Sequence, residues 1–352
     1  MKVYHTIKRS LWSLAAWVVI PLWLFTGCSL QDVRDACCEG VLLRYRYISL
    51  GHDKYLQMIQ TERHYLFDDK GTFMYEVPVD SARRTEVRLR NLKEGTYTML
   101  TIGNRTEGYT YMDALKPGVT QLKEVTLALQ HRTEDNAAYT HAEELFWNLR
   151  TFKAQRNKNH TYLCDMANIH CHLHIKIGWE GDLPAGSDRY TVELSKLVPQ
   201  YRLEINPAYT LQVMGGPAAG ADSSEPTRDY SVHHYPYSPE PHDAVVRSEN
   251  TLRGRELFYE VRTLRYLNEA IPTLQLWHDG ARLFNRPIDL AAVFKNWGWF
   301  PNMDPEQEYY LRLRILENGM VEVQPWITGS VLDWEDGGSF GNRTMENGNR
   351  EK

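Results

Sequence analysis

The sequence has 352 residues, 42% hydrophobic and 24% charged, a balance that describes a globular chain and excludes a disordered one. A formal net charge of −5, without any long run of Lys and Arg, argues against a nucleic-acid partner. The 21 Tyr and 10 Trp, set among 23 Gly and 16 Pro, point to a β-rich fold with many turns.

The chain opens on a tripartite export pattern. Lys2, Lys8 and Arg9 form a positive segment, residues 11–25 are an apolar run interrupted by Ser13 and Pro21, and Thr26-Gly27-Cys28 follows. The run is about 15 residues, short of the roughly 20 a membrane-spanning helix needs. The small residues ahead of Cys28 resemble the lipobox of bacterial lipoproteins, with Phe25 where Leu is usual. The expectation is a signal peptide over 1–27, lipidation of Cys28 by diacylglycerol and an N-acyl chain, and a polar tether over 28–40. An uncleaved anchor and a simple secretory signal are the alternatives.

From Val41 the hydrophobic pattern alternates with period two, which places successive side chains on opposite faces of a strand. Strands are predicted over 41–48, 63–67, 72–77, 85–90, 96–102 and 125–129, with a short one over 144–147. Asp68-Asp69-Lys70-Gly71 between the second and third reads as a hairpin turn. Residues 151–161 are charged and polar and are predicted to link two domains. A second series follows over 169–179, 190–194, 201–205, 256–265, 273–278, 309–316 and 320–323. Residues 215–229 read as an exposed loop, and 288–297 as a helix starting near Asp289. The predicted organisation is an N-terminal β-sandwich over 41–158, a C-terminal one over 159–335, and a polar, disordered tail over 336–352.

Five cysteines are present: Cys28, Cys37, Cys38, Cys164 and Cys171. With Cys28 lipidated, adjacent Cys37 and Cys38 pair poorly with each other, because disulfide geometry needs converging side chains. Cys164 and Cys171 either pair across a short loop or remain buried free thiols.

The sharpest local constellation is His170-Cys171-His172-Leu173-His174. On a strand the three imidazoles share one face and could hold Zn²⁺ or Cu²⁺, although an ordinary solvent face carrying His is the blander reading. Asp68-Asp69 and Glu143-Glu144 are adjacent carboxylates of a kind that arises readily among 45 acidic residues. His233-His234, beside Tyr235-Pro236-Tyr237, reads as a strand edge. Trp297-Gly298-Trp299-Phe300 is either core or a platform for sugar stacking. No phosphate loop, dinucleotide fingerprint or nucleophile elbow is present, and no enzymatic activity or cofactor beyond the Cys28 lipid is expected.

The ordered signals resemble a known group. After the lipobox and Cys37-Cys38 come Leu43-Arg44-Tyr45-Arg46-Tyr47, Tyr65-Leu66-Phe67-Asp68-Asp69-Lys70-Gly71 and Leu92-Lys93-Glu94-Gly95-Thr96-Tyr97. Glu144-Leu145-Phe146-Trp147, Tyr235-Pro236-Tyr237, Arg262-Thr263-Leu264-Arg265 and Val321-Glu322-Val323-Gln324-Pro325-Trp326 follow. Together they are similar to FimB-type fimbrial anchor subunits, the minor lipoprotein subunits of type V fimbriae in Bacteroidales-type bacteria. The resemblance implies an all-β fold of two tandem transthyretin-like Greek-key sandwiches with one short helix in the second. It implies a lipoprotein of the outer membrane, surface-exposed, that holds the base of a fimbrium and limits its release and length. Its partner would be the shaft subunit, bound by β-strand addition. Pro325 stands out in this frame because it lacks the donor a central strand needs. A surface glycan-binding lipoprotein using Trp297 and Trp299, and a metal-dependent enzyme using His170, His172 and His174, are the competing readings.

Overall fold

Val41, Leu43 and Tyr45 turn inward and Leu42, Arg44 and Arg46 outward, so Gly40–Arg46 begins the chain's packed part as a half-buried strand. The structure, a computed structural model, describes residues 40–132, 137–214, 230–237, 243–253 and 255–326. The expected signal peptide, the tether up to residue 39, the 215–229 loop and the 336–352 tail lie outside the described residues, as do Cys28, Cys37 and Cys38.

Two sandwiches follow one another, the all-β architecture expected. In the first, a three-stranded sheet sets Gly40–Arg46 between Glu86–Leu89 and Asn159–Asp165. It faces a five-stranded antiparallel sheet in the order Phe73–Val77, Glu62–Phe67, Gly95–Gly103, Phe146–Ala154, Ala167–Asn168. In the second, a five-stranded sheet runs Thr251–Arg253, Glu256–Leu264, His170–Trp179, Gln307–Ile315, Val321–Pro325. Its partner sheet runs Ala244–Glu249, Tyr190–Leu197, Thr273–His278, Ala281–Arg282. Each sandwich uses one parallel pairing between an early and a late strand. Gly40–Arg46 lies beside Asn159–Asp165, and His170–Trp179 beside Gln307–Ile315. This repeat is a matter of topology that local sequence does not display.

The parallel pairing with Gly40–Arg46 corrects the expected domain limit. Residues 151–161 are no linker: they finish Phe146–Ala154, turn, and begin Asn159–Asp165. The first sandwich therefore extends through Asp165 to the edge strand Ala167–Asn168, past the expected boundary at 158. The polar composition that suggested a linker belongs to the turn that carries the chain from one sheet to the other, where Asn157 adopts a left-handed backbone with φ of 58°.

The halves are also not independent. Thr126–Leu129 of the first half pairs with the long strand Gln200–Met214 of the second, matching Leu127 to Tyr201, and Thr110–Tyr111 and Tyr230–Tyr237 extend the sheet on either side. The five-stranded sheet of the first sandwich is consequently buried on both faces. Leu66, Met99 and Phe146 face the first core, whereas Tyr65, Phe67, Leu100, Ile102 and Trp147 join the core of the second half. Double burial explains the continuously buried runs 65–67 and 99–102, which a strand wetted on one side would interrupt.

At the junction the chain inserts a buried arginine. Arg265, 2% exposed, donates from Nη1 to the carbonyls of Asn168 at 3.3 Å and Pro305 at 3.2 Å, and from Nη2 to the carbonyls of Pro301 at 2.8 Å and Asp304. Its own carbonyl accepts from the Tyr201 hydroxyl at 2.6 Å. Gln307 completes the lock, donating to the carbonyls of Tyr266 and Pro301.

The predicted helix is Leu290–Trp297, capped by the Asp289 carboxylate, which accepts from the Ala291 N–H at 3.0 Å, and closed by Gly298 at φ of 72°. It buries Leu290 and Phe294, one turn apart. A single helical turn, Tyr55–Met58, was not foreseen. Pro325 closes Val321–Pro325, the outermost strand of its sheet among the described residues, where a missing donor leaves no central ladder bond unmade.

Candidate functional site

The strand His170–Trp179 sorts its residues by face. Cys171, Leu173, Ile175 and Ile177 are fully buried. Burying an aliphatic side chain contributes about 1.5–3 kcal/mol, against about 0.2–1 kcal/mol for a cross-strand polar pair. The inner face therefore sets the register, and the histidines take the outer face as the period-two reading predicted.

The three histidines do not stay together. His170 is buried at the junction, its Nδ1 donating to the Leu145 carbonyl at 3.0 Å and its ring edge-on to Phe146. Burial pushes its pKa down to about 4, so it is a neutral, satisfied core histidine. His172 and His174 are mostly buried, with side chains 16% and 13% exposed and ring centroids 3.8 Å apart. The parallel neighbour Gln307–Ile315 sets Glu308 opposite His172 and Tyr310 opposite His174. His174 Nε2 donates to Glu308 Oε1 at 3.0 Å, His172 Nδ1 lies 3.9 Å from the same oxygen, and the Tyr310 hydroxyl donates to it at 2.8 Å. The His174 ring stacks on Tyr310 at 4.3 Å and 2°. Hydrogen bonds from His174 and Tyr310 hold Glu308 ionised, below the usual carboxylate range, while burial and the adjacent His174 lower the pKa of His172. Glu308 is the member sequence reasoning missed. It sits 134 residues from His174, and only the parallel pairing brings it there.

Cys164 and Cys171 are both free and buried, so the possible disulfide is not formed. The chain passes from one sandwich to the other between them, leaving Cys164 in the first core and Cys171 in the second. Burial pushes the Cys164 thiol up to about 12 and raises Cys171 as well.

The adjacent carboxylates have structural occupations. Asp68 Oδ1 accepts from the N–H groups of Lys70 and Thr72 and shapes the hairpin turn. Glu143 Oε1 accepts from the Thr106 N–H at 2.8 Å and the Thr110 hydroxyl at 2.6 Å. Glu144 faces Arg262 at 3.7 Å. None forms a facing pair suited to acid–base work.

Trp297 and Trp299 pack edge-on against each other at 4.9 Å, and Trp299 leans on Phe294 and Tyr309. Both are attached to the second core, as core packing predicted. Phe300 and Met303, 45% and 63% exposed, are the apolar residues that this loop offers to solvent. Among the described residues several edge strands carry or adjoin exposed apolar side chains, among them Tyr75 on Phe73–Val77 and Leu252 on Thr251–Arg253. Asn159–Asp165 carries the exposed Leu163, and Val321–Pro325 is flanked by the exposed Met320. His233 and His234 lie on Tyr230–Tyr237, a sheet-edge strand that pairs with Gln200–Met214.

Residues 37–335 match the family described as fimbrillin-A associated anchor proteins Mfa1 and Mfa2. Among solved structures, the chain is similar to a candidate adhesin from Bacteroides ovatus, with a TM-score of 0.59 and 14% identity over 83% of this chain and 95% of that one. It is similar to candidate polysaccharide-binding protein from Bacteroides thetaiotaomicron, with a TM-score of 0.57 and 13% identity over 82% and 99%. The fimbrial anchor protein Mfa2 from Porphyromonas gingivalis gives a TM-score of 0.53 and 18% identity over 84% and 98%. These identities carry the shared fold. No curated protein sequence matches the chain.

Proposed function

The chain belongs to the family of fimbrillin-A associated anchor proteins, and from that premise we propose that it is an outer-membrane lipoprotein that holds the base of a fimbrium and limits its release and length by binding the shaft subunit. The observation that carries this reading is the reach of the family match, which takes in both sandwiches and the sheet between them. The lipid attaches at Cys28, where a positive segment, a short apolar run and Thr26-Gly27 meet. Two or more acyl chains anchor stably, which one chain does not. Among the described residues no helix is long and apolar enough to cross a membrane. Residues 29–39 separate Cys28 from the first strand, a reach of at most about 40 Å at full extension. The sandwiches are thereby held at the membrane surface on the side where the filament begins.

Shaft binding proceeds by strand addition, in which a subunit's extended segment completes an open sheet edge and places alternate side chains in pockets. The edges at Asn159–Asp165 and Val321–Pro325 support that mode. The role is structural rather than enzymatic, in keeping with the structural tasks already assigned to the adjacent carboxylates. A glycan-binding role would use an open aromatic platform, whereas Trp297 and Trp299 are partly buried, set edge-on to each other and packed against the second core.

A deletion strain tests the proposal. Long filaments shed into the medium, with cell attachment restored by the wild-type gene and not by Cys28→Ala, are the expected result. Filaments of normal length that stay on washed cells would overturn it.

A further inference from the structure

We propose that His172, His174 and Glu308 form a zinc-binding site on the outer face of the second sandwich, with a fourth coordination position open to solvent. The three residues each offer a ligand atom, and those atoms lie within 4.8 Å of one another. Two imidazoles with one carboxylate is a donor set suited to Zn²⁺, and three protein ligands leave the fourth position for water or an incoming group.

The geometry is close to what the ion needs. Bonds of about 2.0–2.2 Å in a tetrahedron put neighbouring ligand atoms about 3.3 Å apart. His174 Nε2 and Glu308 Oε1 are already 3.0 Å apart, and His172 Nδ1 is 3.9 Å from that oxygen. Side-chain rotations that move atoms by about an ångström close the difference, with no change in the backbone. The scaffold holds the cluster firmly. His172 and His174 sit two apart on a central strand whose opposite face is fully buried, and Glu308 comes from its hydrogen-bonded parallel neighbour.

The surroundings permit the ion. His172 Nε2 is buried and has no hydrogen-bond partner among the described residues, so this ring is not committed to a protein acceptor through that atom. Arg262, in register with His172 on the other side, directs its guanidinium to Glu144 at 3.7 Å. Glu260, in register with His174, adds negative charge nearby. The Tyr310 hydroxyl donates to Glu308 and orients the carboxylate, as outer partners of metal ligands do. His170 takes no part, because its ring is turned into the junction.

Bound there, the ion would clamp two strands separated by more than a hundred residues in sequence, and its open position would accept a His or carboxylate from a docked partner. The site is independent of lipidation and of shaft binding, so it stands or falls on its own measurement. The full-length chain, purified in detergent without a polyhistidine tag, is titrated with ZnCl₂ by calorimetry. The expected result is saturation at one equivalent, with a rise in unfolding temperature. Co²⁺ in place of Zn²⁺ should give the intense visible bands of a tetrahedral site. His174→Ala and Glu308→Gln should each weaken binding by more than about tenfold while the circular dichroism spectrum stays unchanged. His160→Ala, on the first sandwich, should bind as the wild type does. Failure to saturate, or one-equivalent binding that survives in the His174→Ala, Glu308→Gln double variant, would overturn the proposal.

Discussion

The guanidinium of Arg265 lies 3.9 Å from the centre of the Tyr235 ring, so a residue at the end of one sheet is roofed by a residue of the sheet that joins the two halves. The same guanidinium donates to four backbone carbonyls and is nearly inaccessible to water. A cation over an aromatic face gains most when it is desolvated.

Replacing Arg265 with Leu should therefore destabilise the protein by roughly 3–5 kcal/mol, because it strands several buried acceptors at once. Arg265→Lys should recover only part of the loss, since an ammonium cannot span acceptors set out for a planar fork. Urea unfolding, read as a change in midpoint at constant slope, measures both.

Gly40 should tolerate no side chain. Its φ is 153°, and a Cβ would lie 2.4 Å from the backbone oxygen of Leu89. Gly40→Ala is expected to cost about 1–3 kcal/mol, the range for a strained backbone position. Thermal unfolding of the variant checks this, with Gly181→Ala, where a Cβ meets nothing within 4 Å, as the comparison.

The thiols of Cys164 and Cys171 should resist alkylation in the native protein and react only on unfolding. Both are fully buried, and burial raises both pKa values, Cys164 to about 12, which removes the reactive thiolate at neutral pH. Iodoacetamide labelling followed by peptide mass mapping distinguishes them from the other cysteines. Rapid native labelling of either would count against the packing described.

Acid should weaken the fold through His141. Its Nε2 lies 3.0 Å from the Arg247 carbonyl and donates to it, and burial, with Arg132 and Arg262 nearby, lowers its pKa. The unfolded chain takes up this proton near pH 6.5, whereas the folded chain does so only at lower pH. The unfolded state therefore binds more protons in that window, and stability falls as pH drops below about 6.5 until the folded pKa is passed. His141→Gln, which retains a donor for the carbonyl, should lessen the slope of this part of the profile, the buried His170 supplying the remainder. Urea midpoints measured from pH 7 to pH 5 in the two proteins give the comparison.

Much of the fold was legible because strands packed on one side announce themselves. Thr273–His278 is legible to the residue, and the helix ending at Trp297 follows from the helical spacing of 288–297 and the cap at Asp289. Errors gathered where the environment departs from the simple pattern. Phe146–Ala154 was read as the short segment 144–147, since burial on both faces at its start and a polar second half hide a nine-residue strand. Cys164 and Cys171 are seven positions apart, yet the chain changes sandwich between them, which no spacing rule reveals. The histidine face was visible from its period, but which imidazoles cooperate was decided elsewhere. Leu145 claims His170, and a parallel strand delivers Glu308.

The placement of Gly40–Arg46 in the middle of its sheet has a mechanical meaning for an anchor. In the anchoring role proposed above, a growing, flexing filament would pull outward against a lipid at the N-terminus, and the tension would run along the axis of this strand. Hydrogen bonds to Asn159–Asp165 on one side and Glu86–Leu89 on the other then share the load in shear, and must fail together rather than unzip one by one. A strand at the rim of the sheet, held on one side only, would carry the same tension with half the bonds.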